Sequence, residues 1–499
     1  MKALRRNSIF LLAVCALTLE LGLNAQSPAP RKAAAAAHAR VPALFLSDVH
    51  LDPFADPAKV ARLNAADAAE WPAILSAPAT PTQAKDFAAL EDACPTRGND
   101  TTWALWQSSL AAIHADAAHA RFITLSGDLL AHSFDCKYKA LLPVATPADF
   151  LAFTEKTVRT VVGTLRAALP GVPLYVAMGN NDSGCTDYAL DAAHDAFLGL
   201  VAKIAGEALP ADLPPTERAT AARDFTAGGT YSVPLAGVPH TRLLAIDDIF
   251  FSGMYATCSG KPSTLPAAAQ LAWLAEQLAQ ARQQGDLVWV MGHIPPGVDI
   301  YSTARKFTNV CAGGRPQMFL ASESLAELLA RNADVVRLAL FGHTHADEMR
   351  LLTVESSLAK ASAQTSLGVP LKIVASITPI NGNRPTFTLA SIDPVTATLA
   401  DYTVVMASNR TGVGTTWAPE YTYSTTYHQP EFDAASLAKL IPELEGDPAA
   451  KSAASQAYLR NYFPGDISSV IQFAWPEYAC SLEHDSARSF AACACAAGK

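Results

Sequence analysis

Short apolar runs recur along the chain, and polar residues close each of them. A short apolar run that ends at glycine or polar residues is typical of a buried strand opening into a loop. Five such runs are followed within one to three residues by histidine, aspartate or asparagine, at residues 41–46, 121–125, 173–178, 287–291 and 338–341. Helical patterns lie between them, at residues 102–119, 147–169 and 266–284. Strands that alternate with helices in this way predict an α/β fold.

Two of these strand ends carry a pair of metal-binding side chains two positions apart. His343 and His345 follow the last run, and Asp48 and His50 follow the first. In an extended chain, residues two apart point the same way, so each pair is predicted to face one point. Neutral imidazole is the commonest metal ligand in proteins, and carboxylate is a hard oxygen ligand. Either pair alone is equally compatible with polar residues in a solvated turn.

The other three strand ends complete a set of seven nitrogen and oxygen ligands. They are Asp128, Asn180 and His293, and a glycine directly precedes each, so the backbone can approach closely there. Seven such ligands without a cysteine suit two hard or borderline ions, such as Zn, Mn or Fe. One aspartate between two imidazole-rich sets can bridge two ions, an arrangement used for in-line displacement at phosphorus.

Composition and charge exclude other classes of protein. The chain has 499 residues, of which 50% are hydrophobic and 17% charged, as in a globular protein. Its net charge of −9 argues against a nucleic-acid-binding surface, which needs a basic face. Basic residues followed by a short apolar core predict a signal peptide over residues 1–25. No later apolar run is long enough for a transmembrane helix, so we expect an exported periplasmic or extracellular protein.

The cysteines fit that compartment. Cys15 lies in the signal peptide, which leaves eight of the nine cysteines in the mature chain. An even number in an exported chain favours disulfides, although eight cysteines allow 105 pairings and the sequence does not choose among them. A zinc–thiolate site is the alternative, but the paired CxxC spacing typical of such sites is missing.

The motifs at the strand ends resemble those of a known family. Their strings include Ser47-Asp48-Val49-His50, Ser126-Gly-Asp128, Gly292-His-Ile-Pro-Pro-Gly297 and Gly342-His-Thr-His-Ala-Asp-Glu348. They resemble the calcineurin-like metallophosphoesterases, in particular the acid sphingomyelinase-like phosphodiesterases and the endopolyphosphatases. The resemblance implies a four-layer αββα sandwich, in which two mixed β-sheets are flanked by helices.

The resemblance also implies the domains and the metal sites. After a flexible lead-in at 26–40, it assigns residues 41–405 to the catalytic domain and 406–499 to a helical, cysteine-bearing extension. Two divalent ions are implied, zinc before manganese or iron. The implied ligands are Asp48, His50 and His345 for one ion, Asn180, His293 and His343 for the other, and Asp128 as the bridge.

One departure from the family pattern bears on catalysis. The family usually has histidine where this chain has Asn181, and asparagine can donate a hydrogen bond to a phosphoryl oxygen but cannot deliver a proton. The resemblance makes His132 the candidate acid for the leaving group; its alternative is an ordinary loop histidine. Asn383 lies in a segment near the family's cleft, where it is either a substrate contact or part of a polar turn.

These inferences predict an exported, dinuclear-metal-dependent phosphoesterase. A hydroxide held between the two ions would attack phosphodiester or phosphoanhydride bonds in a small substrate such as a nucleotide, polyphosphate or phosphodiester. With one proton donor missing, leaving groups that are weak bases should be favoured. A phosphomonoesterase and a non-catalytic metal-binding protein, which the asparagine at position 181 would suit, are the alternatives. The oligomeric state and the identity of the metals stay open.

Overall fold

The computed structural model describes residues 39–192, 195–354, 368–465 and 469–497. The predicted signal peptide and nearly all of the lead-in lie outside the described residues. Within the described ranges, none of the helices combines the length and hydropathy that a membrane crossing requires.

Twelve strands form two sheets of six. In chain order the strands are β1 (Val41–Leu46), β2 (Ile123–Ser126), β3 (Leu174–Ala177), β4 (Tyr231–Pro234), β5 (Thr241–Ala245), β6 (Leu287–Met291), β7 (Val336–Phe341), β8 (Glu348–Leu352), β9 (Val369–Ile373), β10 (Thr386–Ile392), β11 (Leu399–Ala407) and β12 (Trp417–Thr422). The first sheet has the order β12-β11-β10-β1-β2-β3, and the second has the order β4-β5-β6-β7-β9-β8. Strands β1, β2 and β3 pair in parallel, as do β5, β6, β7 and β9. Antiparallel neighbours complete each sheet.

Helices surround both sheets. They are α1 (Val60–Ala65), α2 (Trp71–Ser76), α3 (Gln83–Ala93), α4 (Trp103–Asp116), α5 (Phe134–Leu141), α6 (Pro147–Ala168), α7 (Ala196–Ala208), α8 (Pro215–Gly228), α9 (Leu265–Gln284), α10 (Ile300–Arg305), α11 (Ser324–Arg331), α12 (Tyr423–Tyr427), α13 (Ala434–Glu445), α14 (Ala453–Tyr462), α15 (Ser469–Phe473), α16 (Glu477–Cys480) and α17 (Ala487–Ala497). The predicted helix over residues 266–284 is α9, which ends where Gly285 takes a left-handed conformation with φ 76°.

The main core lies between the two sheets. Trp289 of β6 is fully buried, and its ring meets that of Phe45 of β1 edge to face at 5.9 Å. Successive residues of a strand point to opposite faces, so Val288 and Val290 face the other way. There they join a second apolar cluster with Leu274 and other residues of α9. Two mixed sheets with helices on their outer faces confirm the predicted α/β sandwich.

The C-terminal helices pack against the edge of the second sheet. Strand β8 is the last strand of that sheet, and the N–H of its Leu351 donates to the carbonyl of Leu482, at 2.8 Å. The Tyr478 hydroxyl of α16 donates to the Glu348 carboxylate at 2.6 Å. Strand β12, which begins after residue 405, pairs with β11 in the first sheet. The C-terminal part of the chain is therefore joined to both sheets.

All eight predicted disulfide cysteines are paired. The bridges are Cys94–Cys136, Cys185–Cys258, Cys311–Cys495 and Cys480–Cys493. The prediction of disulfides is thereby confirmed, and the alternative of a zinc–thiolate site is wrong, since these sulfurs bond to one another.

A buried carboxyl after β5 makes stability depend on pH. Both oxygens of Asp247 are buried without a hydrogen-bond partner among the described residues. Burial raises the pKa of this carboxyl well above its usual range, and the neighbouring carboxylates of Asp248 and Asp182 add to the rise. The folded state therefore keeps a proton that the unfolded chain loses near pH 4. Stability due to this group is full below that pH and is lost as the pH rises toward the folded-state pKa.

We expect Asp247→Asn to raise the free energy of unfolding at pH 8 by on the order of 1–3 kcal/mol, because no charge then needs to be buried. At pH 4 the change should be small. Urea unfolding at both pH values measures the difference, and Asp116→Asn, at an exposed position of α4, is the control. An equal effect of Asp247→Asn at both pH values would contradict the prediction.

Candidate metal centre and active site

The structure brings the seven predicted ligands together at one edge of the two sheets. Each ligand lies just beyond the carboxyl end of a parallel strand, where α/β proteins commonly bind ligands. The strands and their ligands are β1 with Asp48 and His50, β2 with Asp128, β3 with Asn180, β6 with His293, and β7 with His343 and His345.

Asp48, His50 and His345 form the first candidate ligand set, called the first ligand set below. The Oδ1 atom of Asp48 lies 3.2 Å from Nε2 of His345 and 3.7 Å from Nε2 of His50. Nδ1 of His50 is 2.8 Å from the Leu130 carbonyl oxygen, which leaves Nε2 as its free nitrogen. That Nε2 is buried and has no hydrogen-bond partner among the described residues. A buried, unpartnered imidazole nitrogen beside a carboxylate fits a metal ligand.

Asn180, His293 and His343 form the second candidate ligand set, called the second ligand set below. The Oδ1 atom of Asn180 lies 3.1 Å from Nε2 of His293 and 2.9 Å from Nδ1 of His343. Nδ1 of His293 contacts the Ser126 carbonyl oxygen at 2.7 Å, so Nε2 faces the other ligands. One amide oxygen and two imidazole nitrogens thus converge on one point.

Asp128 lies between the two sets. Its Oδ2 is 3.3 Å from Nε2 of His50 and 3.2 Å from Nε2 of His293, so one carboxylate reaches both. Asn181 holds this carboxylate: its backbone N–H donates to Oδ1 and its side-chain amide donates to Oδ2, both at 2.8 Å. A contact of Asn181 with a phosphoryl oxygen stays a prediction; in this structure its side-chain amide donates to Asp128, the candidate bridge.

The backbone aims these side chains in an unexpected way. Five of the seven ligands have positive φ, between 44° and 73°, namely Asp48, His50, Asp128, His343 and His345. The prediction that the two pairs converge from extended chain is therefore wrong, because left-handed residues turn them. Gly342 makes the close packing possible, since a Cβ there would clash with the Ser47 hydroxyl. Left-handed residues other than glycine are uncommon and cluster at functional sites.

Charge at the centre favours bound cations. Burial lowers the pKa of His343 to about 3 and also lowers that of His345, so both imidazoles favour the neutral form that metal coordination requires. Burial opposes the charge on His50 as well, but the Asp128 and Asp48 carboxylates outweigh it and raise its pKa to about 9. Buried carboxylates thus need positive charge close by, which protons or divalent ions can supply.

His132 lies beside the first ligand set. Its ring stacks on His50, with centroids 4.2 Å apart and planes at 19°. Asp100, which the sequence did not single out, holds it: Nδ1 of His132 is 3.0 Å from Oδ1, and its backbone N–H donates to Oδ2 at 2.8 Å. Thr378 donates to the same carboxylate at 3.0 Å. The side chain is 30% exposed, so the ring remains accessible next to the ligands.

Comparison with known proteins settles the family. The family model described as calcineurin-like phosphoesterase matches residues 41–347. The chain belongs to this family. The match covers both sheets as far as β7 and all seven candidate ligands, and it confirms the predicted superfamily and, at the level of the family, the class of phosphoric ester hydrolases.

Curated relatives confirm the predicted branch. Sphingomyelinase phosphodiesterase D of Dictyostelium discoideum is 24% identical over 311 residues, which are 58% of this chain and 63% of that protein. Acid sphingomyelinase-like phosphodiesterase 3b of Homo sapiens is 23% identical over 390 residues, 77% of each chain. Cyclic GMP-AMP phosphodiesterase SMPDL3A of Bos taurus is 24% identical, over 64% of this chain and 66% of that protein. A solved dimetal phosphatase from Danio rerio is 11% identical at a TM-score of 0.39, over 76% of this chain and 99% of that one.

Two buried carboxyls behind the candidate site were not predicted to contribute. Asp182 accepts hydrogen bonds from the backbone N–H groups of Leu129 and Gly179, and Asp248 accepts from that of His293. Burial raises the pKa of each carboxyl to about 7. They fix the loops that carry three of the ligands.

Asn383, the predicted substrate contact, lies inside its own loop. Its side chain is fully buried, and its amide donates to the Ser376 hydroxyl at 3.0 Å and to the Thr378 carbonyl at 2.9 Å. A buried amide with these partners stabilises the turn and does not face the site. Asn381, two residues earlier, is the one that reaches it, with Nδ2 3.4 Å from Nδ1 of His345.

Proposed function

We propose that this chain is an exported phosphoesterase that requires two divalent metal ions, zinc before manganese or iron, and hydrolyses phosphodiester or phosphoanhydride bonds in small substrates. The observation that supports it most is the position of Asp128, whose Oδ2 lies 3.3 Å and 3.2 Å from imidazoles of two separate ligand sets. The donor chemistry fits the metals, because all seven ligands offer nitrogen or oxygen, and the Nε2 of His50 is buried without a partner among the described residues.

The proposed division of labour follows from the contacts. The ions would supply the positive charge that binds the phosphoryl group and activates the attacking water. Asn181 holds the bridging carboxylate of Asp128 in place through its backbone and side-chain amides. His132, oriented by Asp100, delivers a proton to the leaving oxygen. Because Asn181 cannot deliver a second proton, leaving groups of low basicity are favoured.

A site with one proton donor favours a particular class of substrate. The leaving groups of phosphoanhydrides, such as nucleotides and polyphosphate, and of activated diesters depart without strong protonation. The alcohol leaving group of a sphingolipid needs protonation. Relatives of this chain include a sphingomyelin phosphodiesterase of Homo sapiens and the cyclic GMP-AMP phosphodiesterase of Bos taurus, so both compounds belong in the test. Export is supported by the four disulfides, which persist in oxidising compartments.

We expect purified protein to contain two metal ions per chain and to hydrolyse ATP, polyphosphate or bis-p-nitrophenyl phosphate faster than sphingomyelin. Elemental analysis combined with a substrate panel between pH 4 and pH 8, before and after chelation, measures both properties. Cyclic GMP-AMP and p-nitrophenyl phosphate complete the panel. Faster cleavage of sphingomyelin would contradict the leaving-group argument, and hydrolysis confined to monoesters would favour the phosphomonoesterase alternative. Two bound ions without any turnover would indicate the non-catalytic metal-binding protein.

A further inference from the structure

One loop contacts the second ligand set and leaves the first alone. The Tyr188 hydroxyl lies 3.5 Å from Nε2 of His343, and the two rings meet edge to face, with centroids 6.4 Å apart and planes at 89°. Nδ1 of the same imidazole is 2.9 Å from Oδ1 of Asn180. With the Tyr188 hydroxyl at Nε2, the Nδ1 atom of His343 is the nitrogen left to coordinate a metal ion. Hydrogen-bond partners of metal-binding histidines commonly select the coordinating nitrogen in this way.

The neighbouring residue fixes the other ligand. The side-chain amide of Asn180 donates to Oδ1 of Asp187 at 2.8 Å. With its nitrogen held in this way, the amide presents its oxygen to His293 and His343. Asp187 and Tyr188 therefore orient two of the three ligands in the second set.

The loop that carries Asp187 and Tyr188 has a strained backbone at Tyr188. Tyr188 has φ 57°, a backbone conformation that is unfavourable for a bulky aromatic residue and persists only where surrounding contacts enforce it. Its N–H donates to the Asn180 carbonyl at 2.9 Å, and its carbonyl accepts from Ala256 at 3.1 Å. The Cys185–Cys258 disulfide ties the same loop to the segment that carries Ala256. The strain falls at the residue that reaches His343, so it fits a role at the site.

The first ligand set has supports of its own. His50 contacts the Leu130 carbonyl, Asp48 accepts from the Ser47 hydroxyl, and His345 is near Asn381. Within the described residues, the hydrogen bonds and ring contacts of the Asp187 and Tyr188 side chains at the site go to Asn180 and His343 and not to this set. The two ligand sets are thus oriented by different parts of the chain.

We propose that Asp187 and Tyr188 are positioning residues that set the affinity of the second metal ion alone. The inference rests on the proposed dinuclear site. Tyr188→Phe keeps the ring and removes only the hydroxyl, and Asp187→Asn removes the charge that holds the Asn180 amide. Each variant should bind one of its two ions about 10–100-fold more weakly, with the other unchanged.

Titration calorimetry of metal-free protein with zinc, with metal content measured after dialysis, tests this. Wild type should hold two ions, and each variant should retain one at limiting zinc. Tyr255→Phe is the matched control: its hydroxyl donates to the Leu190 carbonyl of the same loop at 2.9 Å but touches no ligand, so two ions should remain. The melting temperature of the metal-free variants should match that of wild type, while the rise in melting temperature on adding zinc should shrink.

Several results would overturn the proposal. One is an equal loss of affinity for both ions. Another is a variant that retains two ions at wild-type affinity. The third is a variant whose metal-free melting temperature falls as far as that of the Tyr255→Phe control, while it loses no ion. A wild-type protein that binds fewer than two ions would instead refute the dinuclear site on which the proposal rests, so the two failures are distinguishable.

Discussion

Asp128→Asn is expected to lower turnover of bis-p-nitrophenyl phosphate by about a thousandfold or more. One carboxylate oxygen of Asp128 faces both ligand sets, so removing its charge weakens both ions together. Metal ions contribute several kcal/mol to stabilisation of phosphoryl-transfer transition states, and each 1.4 kcal/mol is a factor of ten in rate. Bound metal should fall below two ions per chain in the same variant.

The control for Asp128→Asn is Asp116→Asn, at an exposed position of helix α4, which should keep wild-type activity and metal content. Chelation of the wild-type protein should reproduce the loss, and added zinc should restore it. Retained activity in Asp128→Asn with two ions bound would show that the two ligand sets do not share this carboxylate, and the dinuclear proposal would fail.

His132→Ala is expected to separate substrates by their leaving groups. For a substrate whose leaving group is an alkoxide, removing the acid should cost about 10²–10⁴-fold in kcat, the usual contribution of general acid catalysis. A p-nitrophenolate leaving group needs little protonation, so bis-p-nitrophenyl phosphate should lose far less. The measurement is kcat for a matched pair of diesters, one with an alkyl and one with a nitrophenyl leaving group.

Two variants sharpen the His132 test. Asp100→Asn should show the same dependence on the leaving group with a smaller loss, because it disturbs only the orientation of the imidazole. His114→Ala, at a helix α4 histidine whose ring contacts the Ala168 carbonyl, should change neither rate. Equal losses on both diesters would mean that His132 supports the metal ligands and does not donate the proton.

The strand ends carried most of the information available in the sequence. Continuous apolar runs indicate buried strands, and parallel strands have their carboxyl ends at one edge of the sheet. Side chains as distant in sequence as Asp48 and His345 could therefore be predicted to lie close together. The sequence motifs at these strand ends then indicated which family the chain resembles. Local pattern was enough because each candidate ligand lies only two to four residues beyond the end of its own strand.

The supporting residues could not be predicted, because their roles depend on contacts between loops. Asp100 acts on His132 from 32 positions away, and nothing in its neighbourhood marks it as a partner of an imidazole. Tyr188 looks like an ordinary loop aromatic until its left-handed backbone and its distance to His343 are known. The buried position of Asn383 likewise depends on how its turn folds back on Ser376.

The contact between strand β8 and the C-terminal helices has a consequence for shortened forms of the protein. An uncovered edge strand offers unpaired N–H and C=O groups to any other extended chain. Here Leu351 donates instead to Leu482, and the Glu348 side chain is held by Tyr478. A chain cut before α14 would present that edge to its neighbours, so insoluble strand-paired aggregates are its expected fate.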